Sequence, residues 1–203
     1  MKLFFDTEFT GLHKDTTLIS IGIVSEDGKS FYAEFTDYKK QQCDDWIKKN
    51  VIANLKYFSD RWYYESESKV RVKDDKSTIG MCLMNWLSQF DTIEFVSDVC
   101  HYDFVLLIDL FGTAWNLPKN VAPVCHDINQ DIARYYNISQ KEAFDMSREE
   151  ILEAHKEPIF GDKHNALYDA EVIEKIYNIV NKNPWCRLYK GTADWSSNDR
   201  KEG

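Results

Sequence analysis

The stretch Leu3-Phe4-Phe5-Asp6-Thr7-Glu8-Phe9-Thr10-Gly11-Leu12 is an apolar run that two carboxylates interrupt. An apolar run that ends at a Thr-Gly turn signal is typical of a buried β-strand. Side chains alternate between the faces of a strand, so Asp6 and Glu8 share one face and Thr7 lies on the other. Two carboxylates beside core residues repel each other and lose hydration unless cations pair with them. The stretch therefore predicts a divalent-metal site at the end of a central strand. In the alternative, the strand ends at Phe9 and both acids are solvated.

The composition of the 203-residue chain indicates one globular domain, with 43% hydrophobic and 14% aromatic residues. We expect a single domain over residues 1–195 and a disordered tail at 196–203. No apolar run reaches the roughly 18–20 residues of a membrane span, and no basic segment before an apolar core marks a secretory signal. We therefore expect a cytoplasmic protein that binds no membrane.

The net charge of −9 argues against a protein that relies on non-specific attraction to duplex phosphate. The charge does not exclude a nucleic-acid enzyme, because bound metal cations supply local positive charge and a short single-stranded end needs few phosphate contacts. The five scattered cysteines form no Cys-x-x-Cys pair, so we expect reduced thiols. A zinc site built from Cys100, His101, Cys125 and His126 is an alternative that their spacing does not require.

Periodicity predicts a mixed sheet flanked by helices in one domain. Three antiparallel strands come first, with an Asp27-Gly28 hairpin between the second and third, and further strands alternate with helices. The predicted strands are the opening stretch and residues 18–24, 30–35, 70–72 and 92–97. The predicted helices follow Asp44, Ser77, Asp103 and Asp127, surround residues 149–155 and span 166–181, with a Pro-bracketed loop at 117–123.

Residues 57–64 are densely aromatic and precede a charged segment. We interpret them as core followed by a solvated connector, because aromatic side chains are usually buried. The alternatives are a stacking platform for bases, a lid or a dimer contact.

Two further carboxylate positions accompany a histidine in the second half of the chain. His164 precedes the last predicted helix and Asp169 lies in its first turns, so both can face one cleft. An imidazole with a pKa of about 6.5 can take a proton from water at neutral pH. The alternative is a surface histidine, with Asp169 complementing the helix dipole.

Asp103 opens a helix between two aromatic residues. Asp98 competes with it because Asp98 lies nearer the preceding strand, and Asp109 is less favoured because it falls inside the helix.

Taken in order, these positions form three motifs: Asp6-Thr7-Glu8, Tyr102-Asp103 and His164-x-Ala166-x-x-Asp169. They resemble the motifs of the DEDDh family of 3′-5′ exonucleases, within the RNase T-like and RNase H-like superfamily, over residues 3 to about 182. Within that family the chain is most similar to the bacterial polyadenylate-specific exoribonucleases. The resemblance implies an α/β fold with an RNase H-like mixed sheet. Val99 departs from the family pattern, which often has a small polar residue, commonly Asn, four positions before the aspartate of the second motif.

The resemblance also implies a chemistry: hydrolysis of single-stranded RNA from its 3′ end, with release of nucleoside 5′-monophosphates. Two divalent ions, Mg²⁺ or Mn²⁺, would clamp the attacking and leaving oxygens. By the resemblance, Asp6, Glu8 and Asp169 hold the first ion. Asp6 bridges to the second, Asp103 acts partly through water, and His164 is the general base.

The resemblance extends to substrate contacts and assembly. Thr7 and Glu8 would lie near the terminal ribose, and Phe9 and Leu12 would wedge or stack against the last bases. Relatives in these groups tend to be homodimers, and the aromatic segment around Trp62 or Trp185 could supply an interface. The competing functions are a proofreading-type 3′-5′ exodeoxyribonuclease, a non-catalytic nucleic-acid-binding module and a zinc-stabilised interaction protein.

Overall fold

The computed structural model describes residues 1–57, 59 and 61–182, so the predicted tail at 196–203 and Trp185 lie outside the described part. The strands are β1 (Lys2–Phe9), β2 (Leu18–Ser25), β3 (Ser30–Phe35), β4 (Trp62–Glu65), β5 (Lys69–Asp74), β6 (Ile93–Ser97) and β7 (Val121–Asp127). The helices are α1 (Asp45–Asn50), α2 (Lys76–Leu87), α3 (His101–Asp109), α4 (Ile128–Tyr136), α5 (Gln140–Asp145), α6 (Arg148–Ala154) and α7 (Ala166–Tyr177). Short 3-10 turns span Lys40–Gln42, Ile52–Asn54 and Ala114–Asn116, and a π-helical stretch, Asn178–Lys182, extends α7. Within the described residues, no helix is long and apolar enough to cross a membrane.

The seven described strands form one mixed sheet in the order β4-β5-β3-β2-β1-β6-β7. The first three strands are antiparallel neighbours, whereas β6 is parallel to β1 and β7 is parallel to β6. On the other side, β5 is parallel to β3 and β4 is antiparallel to β5. The predicted α/β architecture is therefore confirmed, with β1 in the interior of the sheet.

The alternation along β1 divides the core into two layers. Leu3 and Phe5 are fully buried on one face, where they pack with α2 and α3. Phe4 is fully buried on the opposite face, in a cluster that includes Ile132 of α4 and Ile173 of α7. Since every apolar side chain at the start of β1 is committed to one layer or the other, Asp6 and Glu8 come at the end of a strand whose position is tightly constrained.

Gly22 lets the first turn of α7 approach the sheet. A Cβ at Gly22 would lie 2.3 Å from the backbone carbonyl of Ala166, a distance that no side chain tolerates. Gly22 pairs with Asp6 across the β1–β2 ladder. Because Gly22 has no side chain, the N-terminus of α7 packs closely against β2. His164, just before α7, therefore lies beside the acidic end of β1.

Part of the predicted loop at 117–123 is wrong, because β7 begins at Val121 and includes Pro123. Within the described sheet β7 is an edge strand that pairs only with β6. No described strand on its outer side requires the backbone N–H that Pro123 lacks. Helix α5 was not predicted either. Its signal is a capping box formed by Ser139 and Glu142.

The interpretation of the aromatic segment as core is also wrong for its second half. Trp62, Tyr63 and Tyr64 lie on the opposite edge strand, β4, and all three are exposed. The Trp62 ring stacks between Tyr57 and Tyr64, with ring centroids 4.4 and 6.0 Å away. These rings shield one another instead of filling the core, which the composition of the segment does not reveal.

Candidate active site

The four carboxylates and the histidine of the three motifs line one cleft of about 840 Å³ at the end of β1. Glu8, His164 and Asp169 each place a ligand atom within 4.8 Å of the other two. Asp6 and Asp103 line the same cleft, so the fold brings together all four carboxylates and the histidine. The convergence follows from the sheet order, because β1 lies beside β6, whose end leads into α3, and α7 packs across β1 and β2.

The four carboxylates lie close enough that their negative charges are mutually unfavourable. Burial, reinforced by the charge of Asp103, raises the pKa of Asp6 well above its usual value. Burial and the charge of Asp169 raise the pKa of Glu8 to about 8. Burial likewise raises the pKa of Asp169 to about 7 and that of Asp103 to about 6. An all-oxygen acidic set of this kind fits hard divalent cations such as Mg²⁺ or Mn²⁺, which would relieve the repulsion.

His164 sits at the mouth of this acidic set in a left-handed backbone conformation, with φ of +63°. Its backbone N–H donates a hydrogen bond to Asp169 Oδ2 at 2.8 Å, and its Nδ1 lies 3.8 Å from Glu8 Oε1. The ring also contacts Trp46 edge to face, with centroids 4.9 Å apart. Burial, followed by the charge of Lys163, lowers the pKa of the imidazole. A neutral imidazole beside the carboxylates is able to accept a proton at neutral pH.

The tertiary contacts distinguish Asp103 from Asp98. Arg148 makes a bidentate ion pair with Asp98, with donor–acceptor distances of 2.6 and 2.9 Å. Asn129 donates a further hydrogen bond to Asp98 at 2.7 Å. Asp98 also lines the cleft, but because Arg148 already matches its charge it is a less favoured candidate than Asp103 for holding a metal ion. Asp109, the third option, forms an ion pair with Lys76 and is not among the residues that line the cleft.

Thr7 has a positioning contact that sequence reasoning missed. Its hydroxyl and its backbone N–H both donate to Asp103 Oδ1, the latter at 3.2 Å, and Ser97 Oγ donates to Asp103 Oδ2 at 3.3 Å. Thr7 is on the face of β1 opposite Asp6 and Glu8, which is the face that α3 covers. The alternation of β1 therefore places Asp6 and Glu8 on one face, and places Thr7, which hydrogen-bonds to Asp103, on the other.

The apolar wall of the cleft contains the predicted Phe9 and Leu12. Phe9 stacks on Tyr102, with ring centroids 5.7 Å apart, and Leu12 is 75% exposed at the rim. Trp46 joins this wall from α1 and is half exposed. Nothing in the local sequence singles out Trp46 beyond the Asp44 cap that starts its helix, so the tryptophan was missed.

The alternative zinc site of four residues assembles only in part. Cys100 and His101 lie with Asp127, and the ligand atoms of these three are within 4.8 Å of one another. His126 points elsewhere, since its Nε2 lies 2.6 Å from Asp131 Oδ2.

Comparisons with known proteins identify the family of the chain and relate its fold to solved structures. The family model described as the 3′-5′ exoribonuclease Rv2179c-like domain matches residues 1–180. Two proteins of Mycobacterium tuberculosis, 3′-5′ exoribonuclease Rv2179c of strain H37Rv and 3′-5′ exoribonuclease MT2234.1 of strain CDC 1551, are similar to this chain. Each is 29% identical over 131 residues, which are 64% of this chain and 73% of the relative.

Solved structures share the fold. The nuclease domain of 3′hExo, a DEDDh family member bound to rAMP, superposes with a TM-score of 0.63 and 13% identity, covering 92% of this chain and 94% of its own. Pop2p of S. pombe, in a form with Mg²⁺ and Mn²⁺ bound, gives a TM-score of 0.61 and 14% identity, covering 93% and 85%. The chain therefore belongs to the family of Rv2179c-like 3′-5′ exoribonuclease domains and is a 3′-5′ exonuclease with the RNase H-like fold of the DEDDh group.

Proposed function

We propose that this exonuclease removes nucleotides from the 3′ end of single-stranded RNA and releases nucleoside 5′-monophosphates, with His164 as the general base. The observation that carries the proposal is the convergence of four crowded carboxylates and a histidine of lowered pKa on one open cleft. Asp6, Glu8, Asp103 and Asp169 are the proposed ligands of two divalent cations, Mg²⁺ or Mn²⁺.

In this proposal the cations and the residues of the cleft have different roles. When bound, the cations supply Lewis-acid activation and neutralise charge at the scissile phosphate. His164, tied through its backbone to Asp169, accepts the proton of the attacking water. Thr7 holds Asp103 in place, and the edge-on ring of Trp46 restricts the imidazole.

The substrate contacts follow from the walls of the cleft. Phe9 and Leu12 offer apolar surface for the last bases, and the exposed Leu12 can reach between them. Glu8 and Thr7 are the proposed contacts to the terminal ribose.

RNA is favoured over DNA as substrate because the similar mycobacterial proteins are named exoribonucleases. An exodeoxyribonuclease would use the same residues and remains the alternative. The non-catalytic binding module is disfavoured because the full acidic set is present. Three features are still predictions: a similarity to polyadenylate-specific enzymes, a cytoplasmic location and a homodimer. Light scattering that gave a monomer mass would exclude the dimer.

The test follows a 5′-labelled single-stranded RNA and its DNA counterpart on a gel, with Mg²⁺, with Mn²⁺ and with EDTA. We expect metal-dependent shortening from the 3′ end, faster on RNA. Loss of a general base lowers the rate by about 10²–10⁴-fold, which is the effect expected for His164→Ala.

Two aspartates of α3 provide a matched pair for the same assay. Asp103→Asn should abolish most activity, whereas Asp109→Asn, outside the cleft, should retain it. A DNA rate above the RNA rate would select the exodeoxyribonuclease. No shortening of either substrate with either metal would leave the binding module as the better explanation.

A further inference from the structure

We propose that Cys100, His101 and Asp127 form a second divalent-cation site, selective for zinc and separate from the acidic cleft. The three side chains come from two segments that are distant in sequence, yet their ligand atoms lie within 4.8 Å of one another. This spacing is within the reach of small side-chain movements that would bring three ligands onto one tetrahedral ion.

The register of two parallel strands creates this cluster. Ser97 at the end of β6 pairs with Asp127 at the end of β7. The chain leaves β6, turns through Val99 and starts α3 at His101, so Cys100 and His101 return above the end of β7. The approach depends on the strand pairing, whereas the zinc alternative drawn from the sequence combined Cys100 and His101 with Cys125 and His126.

The donor set differs from that of the cleft in its chemistry. Sulfur, imidazole and carboxylate together suit zinc, whereas magnesium prefers oxygen ligands and retains water. Asp127 accepts two hydrogen bonds from Asn129, both on Oδ1, and no hydrogen bond to Oδ2 is found within the described residues. His101 is exposed, so an ion can reach the cluster from solvent. The Cys100 thiol donates to the carbonyl of Cys125 at 3.9 Å, and water can complete the four ligands.

The cluster lies outside the cleft although it is close to it in sequence. Tyr102 and Asp103 line the cleft, but Cys100, His101 and Asp127 do not. An ion held by these three residues would connect the start of α3 to the end of β7. It would thereby fix the turn at Val99 that precedes Asp103, without occupying the proposed catalytic site.

The experiment uses Co²⁺ as a spectroscopic probe on the full, reduced chain. A cysteine ligand gives a thiolate-to-cobalt charge-transfer band in the near ultraviolet, which an oxygen and nitrogen site lacks. We expect the band to saturate at one equivalent, to persist in excess Mg²⁺ and to disappear when Zn²⁺ is added. Cys100→Ser should abolish the band, while Cys82→Ser, which changes a half-buried thiol of α2, should leave it unchanged.

The remaining variants separate this site from the cleft. His101→Ala and Asp127→Asn should each weaken Co²⁺ binding at least tenfold, and asparagine preserves the cap that Asp127 gives α4. Glu8→Gln alters the cleft and should not change the band. Circular dichroism verifies that each variant is folded. A missing band, a band that survives Cys100→Ser, or a band lost in Glu8→Gln would each overturn the proposal. The gel assay of the exonuclease is independent of these results.

Discussion

Val99 has the least favourable backbone conformation for its residue type near the site. Its φ of +54° lies in the left-handed region, which a β-branched side chain occupies at a cost of about 1–2 kcal/mol. Asparagine tolerates this region, and it is the residue that the DEDDh pattern often has at this position. At position 99 of this chain, asparagine would therefore be less strained than valine.

Val99→Asn should therefore raise the free energy of unfolding by about 1 kcal/mol, because asparagine adopts the left-handed backbone conformation with less strain than valine. Urea unfolding at constant pH measures the change. Val124→Asn is the matched control, since Val124 is exposed on β7 and is not among the described residues with positive φ. An equal change in both variants would show that polarity, and not backbone strain, accounts for the effect.

Tyr32 of β3 links the interior of the sheet to the histidine loop through a buried hydroxyl. This hydroxyl donates to Glu34 Oε1 at 3.0 Å and accepts from Asn165 Nδ2 at 3.1 Å. Asn165 caps α7 directly after His164. The contact therefore restrains the backbone from which the imidazole projects.

Tyr32→Phe should lower kcat several-fold with little change in KM, because the histidine loop loses a restraint while the substrate walls stay intact. Stability should fall by about 1 kcal/mol for the lost hydrogen bonds. Tyr63→Phe is the control, since the Tyr63 hydroxyl contacts Glu65 on the exposed edge strand. Unchanged kcat in Tyr32→Phe would mean that the network does not position His164.

At the scale of elements, the contact between β2 and α7 sets the distance between the acidic end of β1 and Asp169. Gly22→Ala would force the helix away from the sheet, and overpacking of this kind costs about 1–3 kcal/mol. We expect a lower denaturation midpoint and lower exonuclease activity in the same variant.

Ser20→Ala is the control for Gly22→Ala because it places the same residue on the same face of β2. Ser20 is fully buried and its hydroxyl has no hydrogen-bond partner within the described residues. Its removal should leave stability unchanged or slightly higher. If Gly22→Ala were as stable and active as Ser20→Ala, the proposed close approach would be unimportant.

A second inter-element contact, between β7 and α4, makes stability depend on pH. The hydrogen bond to the buried Asp131 raises the pKa of His126 above its ordinary value of 6.5. The folded state therefore binds the proton more tightly than the unfolded chain. This contribution is fully present below pH 6.5 and disappears as the pH rises through the raised pKa.

Urea unfolding of wild type and His126→Gln between about pH 5 and pH 9, in EDTA, tests this linkage. The stability advantage of wild type should shrink as the pH rises. Asp131→Asn, which removes the partner, should show the same loss of pH dependence. A constant difference between wild type and His126→Gln across the range would rule out the linkage.

At the scale of the whole molecule, we expect the net charge of −9 and the buried acidic cluster to make stability depend on divalent cations. A ligand that binds only the folded state at 100 times its Kd stabilises it by about 2.7 kcal/mol. Thermal unfolding should therefore occur at a higher temperature in Mg²⁺ than in EDTA.

Asp6→Asn should change this response in two ways. In EDTA the variant should be more stable than wild type, because burial and repulsion disfavour the ionised Asp6 carboxylate. In Mg²⁺ it should gain less than wild type, because a proposed ligand is missing. Asp109→Asn should respond to Mg²⁺ as wild type does. An equal Mg²⁺ shift in Asp6→Asn and wild type would argue against Asp6 as a ligand.

The sequence by itself determined the features that depend on neighbours along the chain. The alternation in β1, the Asp27-Gly28 hairpin and the caps at Asp44 and Asp127 were predicted because each depends on a few adjacent residues. The order of the acidic motifs also indicated one metal-dependent site.

Only the tertiary structure decided features that depend on distant partners. The sequence favoured Asp103 by its motif but left Asp98 as a competitor. The fold distinguishes them because Arg148, fifty positions from Asp98, neutralises Asp98, whereas Thr7 hydrogen-bonds to Asp103. The exposure of Trp62 follows from the edge position of β4, which depends on strand order. The free energy of an ion pair or of burial depends on which residues the fold brings within contact distance. Those residues are distant in sequence, so the neighbours along the chain do not reveal them.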